Sequence, residues 1–260
     1  MAGDKQLSQV IDLLEDRDIM VVTGAGVSTD SGIPDYRGRG MLAKHPLIAH
    51  KFEHDATYRK KFWVRNNEHA DVWLNAEPND AHNAIAVMEH AGYVTGVVTQ
   101  NVDGLHWTAM SMVVAELHGN MHTSTCMLCD KQFSQEYVID EFRRMNPQVM
   151  GDRRFWAKKI IEPMCNECGG FLKPSVVFFG DFLPEEEFDL AESIAEDSNA
   201  VIVAGTSMKV GTAMSLIRSV KKRGPVIVIN RGETMVDHMA DVKINAGVGE
   251  TLQDIMRGLL

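Results

Sequence analysis

The sequence has little cysteine, a deficit of basic residues and no long apolar run, and each shortage closes off a class of protein. Four cysteines in 260 residues, all in two Cys-x-x-Cys pairs, are too few for a disulfide-built scaffold and read as metal ligands of a reducing compartment. Lys and Arg number 26 against 36 Asp and Glu, a formal charge of −10. That balance argues against direct nucleic-acid binding, because a phosphate backbone is held by clustered basic side chains. It is compatible with a basic protein segment as substrate. No stretch approaches the roughly 18 apolar residues of a membrane-spanning helix. The N-terminal run MAGDKQLSQVIDLLEDRD has neither the regions of a secretory signal nor the Arg-rich, acid-poor character of a transit peptide. Low-complexity linkers and internal repeats are missing too. What the chain does have is 45% hydrophobic residues, enough to core one large domain with an insert or two small domains.

Leu7, Val10, Ile11 and Leu14 fall at helical spacing, and Ile19 to Thr23 is a short apolar strand that runs into glycines. The pattern returns with a helix from Pro78-Asn79-Asp80 to about Gly92 and a strand from Val94 to Thr99. Ala200 to Ala204 and Val226 to Ile229 read as strands buried on both faces, joined by a helix from about Thr212 to Arg223 that Gly224-Pro225 stops. Alternating strands and helices of this kind predict an α/β, doubly wound parallel sheet with its ligands at the carboxyl ends of the strands. Two segments break the rhythm, residues 36–75 and 119–172, and are expected to form a smaller module.

The first strand opens into Gly24-Ala25-Gly26-Val27-Ser28. Glycines there let backbone approach a pyrophosphate, while a following helix offers free N–H groups. A tight turn without a ligand has the same composition, and Thr29 stands where a third glycine of the usual dinucleotide fingerprint would be, against an ordinary dehydrogenase. Ser31-Gly32-Ile33-Pro34-Asp35-Tyr36-Arg37-Gly38 continues the loop. At the end of the second strand, Thr99-Gln100-Asn101-Val102-Asp103-Gly104-Leu105-His106 points amide and carboxylate groups into the ligand crevice. Another strand-like run, Val113 to Leu117, ends in His118-Gly119, where the imidazole is either a structural hydrogen-bonder or a base.

Cys126-x-x-Cys129 and Cys165-x-x-Cys168-Gly169-Gly170 supply four thiolates in two knuckles, which suits tetrahedral zinc with no open position, so the metal is structural. The 35 residues between the pairs (130 to 164) exceed the about 15 to 20 of a plain ribbon, so an embellished one is expected. Lys173-Pro174-Ser175-Val176-Val177-Phe178-Phe179-Gly180-Asp181 reads mostly as core strand, with Gly180 a place for another backbone to come close. Gly205-Thr206-Ser207-Met208-Lys209-Val210 offers hydroxyls and amides to a phosphate or a peptide, and Asn230-Arg231-Gly232 could meet an adenosine ribose.

In this order, GAGVS, GIPDYRG, TQNVDGLH, ELHG, the paired knuckles, VVFFGD and GTSMKV resemble the sirtuins, the Sir2 family of NAD-dependent protein deacylases, over nearly the whole chain. The resemblance implies a Rossmann-like NAD-binding domain of residues 1–35, 76–118 and 173–260, with a helical and zinc-binding module of residues 36–75 and 119–172. It implies one structural zinc on Cys126, Cys129, Cys165 and Cys168. His118 becomes the general base, with Asn101 and Asp103 organising the nicotinamide ribose and a nearby water. Cofactor contacts fall on Gly24, Ala25, Gly26, Ser28, Thr29, Asp35, Tyr36, Arg37, Gln100, Asn101, Val102, Asp103, Gly205, Thr206, Ser207, Asn230, Arg231, Gly232 and Val248. The substrate, an acyl-lysine protein or peptide, is expected to add as a strand along Val177, Phe179, Gly180 and Asp181 and along Met208, Lys209 and Val210. Its acyl oxygen would attack the anomeric carbon as nicotinamide leaves, ending in free lysine and an O-acyl-ADP-ribose. The runs PNDAH, LKP and VFFGD look most like the class II branch.

Three places depart from the family pattern. Ala109-Met110-Ser111 stands where relatives commonly carry Ala-Gly-Ser, the chain is short after Arg37, and Phe62-Trp63-Val64-Arg65 replaces the Tyr-x-x-Arg of members that remove acidic acyl groups. Arg65 either pairs with an acidic acyl group or is a solvated helix residue. Two other functions use the same features: mono-ADP-ribosyl transfer to protein, and a silent NAD-binding sensor or scaffold. The acidic balance and the lack of a long apolar run argue against a direct nucleic-acid or membrane partner, and a monomer or weak oligomer is expected, cytoplasmic if bacterial, with the mitochondrial matrix open to a eukaryotic one.

Overall fold

The computed structural model describes residues 3–35, 46–150 and 159–260. They fall into two units, one drawn from Met1–Leu42, Glu77–His118 and Leu183–Leu260, the other from Ala43–Ala76 and Gly119–Phe182.

The first unit is built on six parallel strands: β1 (Ile19–Thr23), β2 (Val94–Thr99), β3 (Val114–Glu116), β7 (Ala200–Ala204), β8 (Val226–Ile229) and β9 (Val242–Ile244). Their order is β3-β2-β1-β7-β8-β9, so the chain winds one way from β1 and the other way from β7. The strands are apolar on both sides because each side is covered. Ile19, Val21, Val97, Ile202 and Ile227 face helices α1 (Asp4–Leu14), α4 (Asp80–His90) and α9 (Val248–Leu259). Met20, Val22, Val98, Val201 and Val228 face α7 (Glu185–Asp197) and α8 (Met214–Lys221). Alternate residues of one strand thus enter opposite cores, which is why these segments show no polar face in sequence. Helix α4 starts where Asn79 accepts the Ala81 N–H and His82 returns a ring nitrogen to the Asn79 N–H, a reciprocal cap. Helix α5 (Leu105–Thr108) is one turn between β2 and β3.

The second unit pairs an antiparallel sheet, β5 (Gln132–Ser134), β4 (Gly119–Cys126) and β6 (Leu172–Val176), with helices α2 (Ala49–His54), α3 (Ala56–Leu74) and α6 (Gln135–Met145). Asp55 caps α3 by accepting from Thr57 and Tyr58 N–H, and Ser134 caps α6. Phe52, Phe62 and Phe178 meet as an aromatic core, with Phe52 edge-on to each of the others at 5.3 Å. Arg59 closes this core on one side through a half-buried ion pair with Glu162.

Four of the expected strands have the predicted ends. The helix expected from Thr212 to Arg223 is shorter, Met214–Lys221. The run read as core strand to Phe179 leaves the sheet after Val176. Phe178 turns into the aromatic core while Phe179 is 62% exposed, because the chain bends at Gly180 with φ +100.

Candidate functional site

The carboxyl ends of five parallel strands carry the residues expected to hold a dinucleotide. Gly24 to Thr29 follow β1, Gln100 to Asp103 follow β2, Gly205 to Ser207 follow β7, Asn230 to Gly232 follow β8, and Val248 follows β9 as the first residue of α9. The winding reverses between β1 and β7, and such a switch point opens a crevice at the strand ends. Asp35 is half-buried at the end of the first loop, whereas Tyr36 and Arg37 lie outside the described residues.

Local packing explains the glycines here. A Cβ on Gly26 would lie 2.7 Å from the Gly205 carbonyl oxygen, and one on Gly24 would lie 2.6 Å from Thr206 Cβ. Gly205 has φ +61, and a Cβ there would lie 2.5 Å from the Val27 nitrogen. The first requirement for glycine is therefore the crossing of the β1 and β7 loops. Asn230 folds back, its amide donating to the Arg231 and Gly232 carbonyls, and Gly232 N–H donates to Asn245.

Beneath the crevice lies a buried polar network. Ser28 Oγ donates to Asp103 Oδ2 at 2.6 Å and accepts from Asn101 Nδ2 at 3.0 Å. Because the Asn79 N–H donates to His82 Nδ1, the His82 proton sits on Nε2 and points to Ser28 Oγ at 3.4 Å. One hydroxyl proton and two lone pairs are thus all used. Asp103 also accepts the Leu105 N–H, fixing the turn into α5. A second chain runs beside it: Thr23 Oγ1 donates to Thr99 Oγ1 at 2.8 Å and faces His106 Nε2 at 2.9 Å. The His82 and His106 rings meet edge to face at 4.9 Å. Burial drives both imidazoles toward the neutral form, His82 down to about 4 against the opposing pull of Asp103, and His106 well below its usual range.

His118 follows β3. Its Nδ1 lies 3.0 Å from the Gln100 carbonyl oxygen, which can only accept, so Nδ1 carries the proton and Nε2 is bare. Nε2 in turn faces Thr212 Oγ1 at 3.2 Å. Burial lowers the imidazole's pKa from 6.5, partly offset by the Gln100 carbonyl, which leaves a neutral ring with Nε2 unprotonated near pH 7. Two residues upstream, the Glu116 carboxyl is pushed up to about 7 by burial and by Glu187 and Asp103.

Of the expected substrate positions in this unit, Lys209 and Val210 are exposed, while Met208 turns its side chain into the core at φ +55 and offers only backbone. In the second unit Val177 and Asp181 are half-buried, Phe179 and Gly180 are exposed, and Asp181 holds Lys173 at 2.8 Å and the Phe178 N–H at 2.7 Å. Arg65 is half-buried on α3 and has no hydrogen bond or ion pair among the described residues.

The four cysteines converge. Sγ atoms lie 3.5 Å apart for Cys126 and Cys168, 3.8 Å for Cys129 and Cys165, and 3.3 Å for Cys129 and Cys168. Four sulfurs around zinc at its ordinary bond length sit about 3.8 Å from one another, so the set matches a closed tetrahedral site. Backbone N–H groups of Leu128, Glu167 and Gly170 point at Cys126, Cys165 and Cys168, as thiolates require. A Cβ on Gly170 would lie 2.8 Å from Cys126 Sγ, which explains the second glycine of the knuckle.

Thr23, His82 and Thr212 join the site without a role assigned from sequence, and Thr99 and His106, inside the motif after the second strand, prove to be bonding partners. The signal for Thr23 and Thr99 was there, since matched threonines end two adjacent parallel strands in register. His82 was visible as the third residue after an Asn cap.

A sequence model described as the Sir2 family matches residues 24–212. An NAD-dependent protein deacetylase 1 of Mycobacterium avium is 35% identical over 96% of this chain and 94% of its own length. The mitochondrial NAD-dependent protein lipoamidase sirtuin-4 of Bos taurus is 33% identical over 95% of this chain and 84% of its own. Among solved structures, Sir2 with a p53 peptide and NAD+ superposes with a TM-score of 0.81 at 31% identity, covering 96% of this chain and 97% of that one. Sir2 with the inhibitor EX-527, 2'-O-acetyl-ADP-ribose and deacetylated p53 peptide gives 0.80 at 31% identity, covering 97% and 100%.

Proposed function

This chain belongs to the Sir2 family, and from that premise we propose that it removes acyl groups from protein lysine side chains with NAD, yielding nicotinamide, an O-acyl-ADP-ribose and free lysine. The observation that carries the reading is His118. Its proton is tied to the Gln100 carbonyl and its bare Nε2 stands among the strand ends of the switch point, as a general base at neutral pH requires.

The donor set fits a dinucleotide. Five strand ends converge on one crevice, where Ser207, the Asn230 side-chain oxygen and the backbone of Thr206 would meet phosphate and ribose groups, since the Thr206 hydroxyl is bonded to Gln100 and Met208. NAD, when bound, supplies an anomeric carbon that nicotinamide leaves. Around it, His118 would take the proton of a ribose hydroxyl. Asn101 and Asp103, held by Ser28, would keep the nicotinamide ribose and a water in place. Gly24 to Thr29 and Asp35 would line the cofactor loop, with Tyr36 and Arg37 continuing it. Gln100 and Val102, Arg231, Gly232 and Val248 would complete the cofactor wall. Zinc on Cys126, Cys129, Cys165 and Cys168 would organise the second unit and take no part in the chemistry, since four thiolates leave no open position.

The peptide would bind by strand addition, with Val177, Phe179, Gly180 and Asp181 as one set of candidate contacts and Met208, Lys209 and Val210 as another; the Phe179 N–H and carbonyl are already bonded to Leu47 and Ala49, and the Met208 N–H to Thr206. The two curated relatives, 35% and 33% identical, carry different acyl activities in their names, so overall identity does not select the acyl chain. Arg65, half-buried and without a protein partner among the described residues, favours an acidic acyl group. Nicotinamide release from NAD with a panel of acyl-lysine peptides tests the main reading, and silence with every chain would overturn it. In the same assay Arg65→Met should cost acidic acyl chains about tenfold or more in kcat/KM, the worth of a charged hydrogen bond, and spare acetyl. Equal losses would exclude Arg65 as selector.

A further inference from the structure

Resting on that reading of the crevice, we infer that Thr212 is a positioning residue for His118. Both ring nitrogens of His118 are held, and both contacts lead back to Gln100. Nδ1–H donates to the Gln100 carbonyl at 3.0 Å, and Nε2 lies 3.2 Å from Thr212 Oγ1. Gln100 Nε2 donates into that hydroxyl at 3.2 Å, occupying one of its lone pairs. The hydroxyl's single proton therefore goes to His118 Nε2.

Gln100 cannot turn to release this arrangement. Its Oε1 accepts from Thr206 Oγ1 at 2.9 Å, and its Nε2 also donates to the Val210 carbonyl at 2.8 Å. Thr206 Oγ1 accepts the N–H of Met208, whose buried side chain and positive φ anchor the loop. The hydroxyl of Thr212 makes no bond to backbone among the described residues, so turn-building does not account for it. None of the roles implied by the family falls on Thr212, the last residue of the matched segment.

A donor aimed at Nε2 favours the neutral ring with its lone pair on that nitrogen, because a protonated Nε2 would confront it. With the tautomer set by the Gln100 carbonyl, Thr212 keeps the Nε2 lone pair aimed and the ring from turning until the substrate hydroxyl takes the same place at Nε2. Side-chain volume alone would not do this.

Thr212→Val keeps the shape and removes the hydroxyl, and Thr212→Ser restores it. With NAD and an active acyl peptide, Thr212→Val should lower kcat about fivefold, the rate equivalent of one neutral hydrogen bond, with the KM for NAD within about twofold. Thr212→Ser should return kcat to the wild-type value. Independently of turnover, 15N NMR of the imidazoles, with His118 identified by its loss in His118→Asn, should show the Nδ1–H form in both proteins, with the Nε2 resonance of Thr212→Val displaced toward that of an acceptor without a hydrogen bond. Equal losses in the Val and Ser variants would reduce Thr212 to packing and overturn the inference, as would an unchanged His118 spectrum. A wild type inactive on every acyl peptide would overturn the deacylase reading instead, and the spectrum would still decide Thr212.

Discussion

His118 shows how a single side chain is set for proton transfer. Burial disfavours its charged form and outweighs the Gln100 carbonyl, so its pKa is lowered from 6.5. A base of this kind is competent when neutral, and its neutral population falls only below that lowered value. The expected pH profile of kcat/KM is therefore level from about pH 8 down to about 6.5, with an acid limb below that point. A limb centred above pH 7 would mean that the ring is solvated and not buried. His118→Asn should remove about 100-fold or more of the rate, the usual share of a general base, while NAD still protects the protein against heat. Ser28 works at the same scale by a different means. Its hydroxyl satisfies Asp103, Asn101 and His82 together, so one oxygen sets the orientation of two groups proposed to act on the ribose.

At the scale of the element, turns decide more than strands do. Met110 occupies the left-handed region with φ +70 where relatives commonly carry glycine, and its side chain is 72% exposed and packs against little. That backbone costs about 1–2 kcal/mol for a residue with a Cβ, partly offset because glycine gains more freedom on unfolding. Met110→Gly should accordingly stabilise the protein by about 0.5–1 kcal/mol, read as a higher denaturant midpoint at unchanged slope. A lower midpoint would mean that Met110 packs more than its exposure indicates. The zinc knuckles make the opposite case, in which an element is stable only with its ion. Chelation should unfold the β4-β5-β6 sheet and expose its aromatic core, seen as a red shift in the emission of Trp63, which packs on Phe62, that added zinc reverses; in Cys126→Ser, which lacks one ligand, added zinc should not restore it. The knuckles, four strands of the parallel sheet and the start of α4 were legible because spacing, doubly apolar runs and an Asn cap are local signals. Strand β9 and helix α9 were not read, since Val242–Ile244 is only three residues long and draws its identity from pairing with β8. The exposure of Phe179 escaped for a related reason. Its apolar neighbours continue a strand pattern that only the bend at Gly180 interrupts. The Ser28 and His118 networks were legible as residues but not as partners, because their members lie 18 to 94 positions apart.

Across the whole molecule, burying titratable groups under one crevice makes stability depend on pH in two opposing ways. His82, held down to about 4, and His106, lower than usual, are neutral in the fold but take up protons near 6.5 when unfolded. The unfolded state thus binds more protons, and the stability they contribute above pH 6.5 is lost as pH falls toward 4. Glu116 has the contrary sign. Its folded value of about 7 lies above the usual 4.5, so the fold binds the extra proton and stability is lost as pH rises from about 4.5 through 7. The His82 and Glu116 shifts are each worth on the order of 3 kcal/mol at full effect, and His106 adds to the side of His82. Acidification from pH 7 to 5 should therefore lower the Tm of the wild type, more gently than the histidines alone would. Glu116→Gln separates the contributions. At pH 8 the variant avoids a buried charge beside Glu187 and should melt several degrees higher, about 3 °C per kcal/mol for a chain of this size. The advantage should shrink on acidification and vanish near pH 4.5, where the wild-type carboxyl is already protonated, so the variant's Tm falls more steeply with pH than the wild type's. A gap between the two proteins that stayed constant from pH 8 to 4.5 would show that Glu116 titrates in the ordinary carboxylate range, and that the floor of the crevice is open to water.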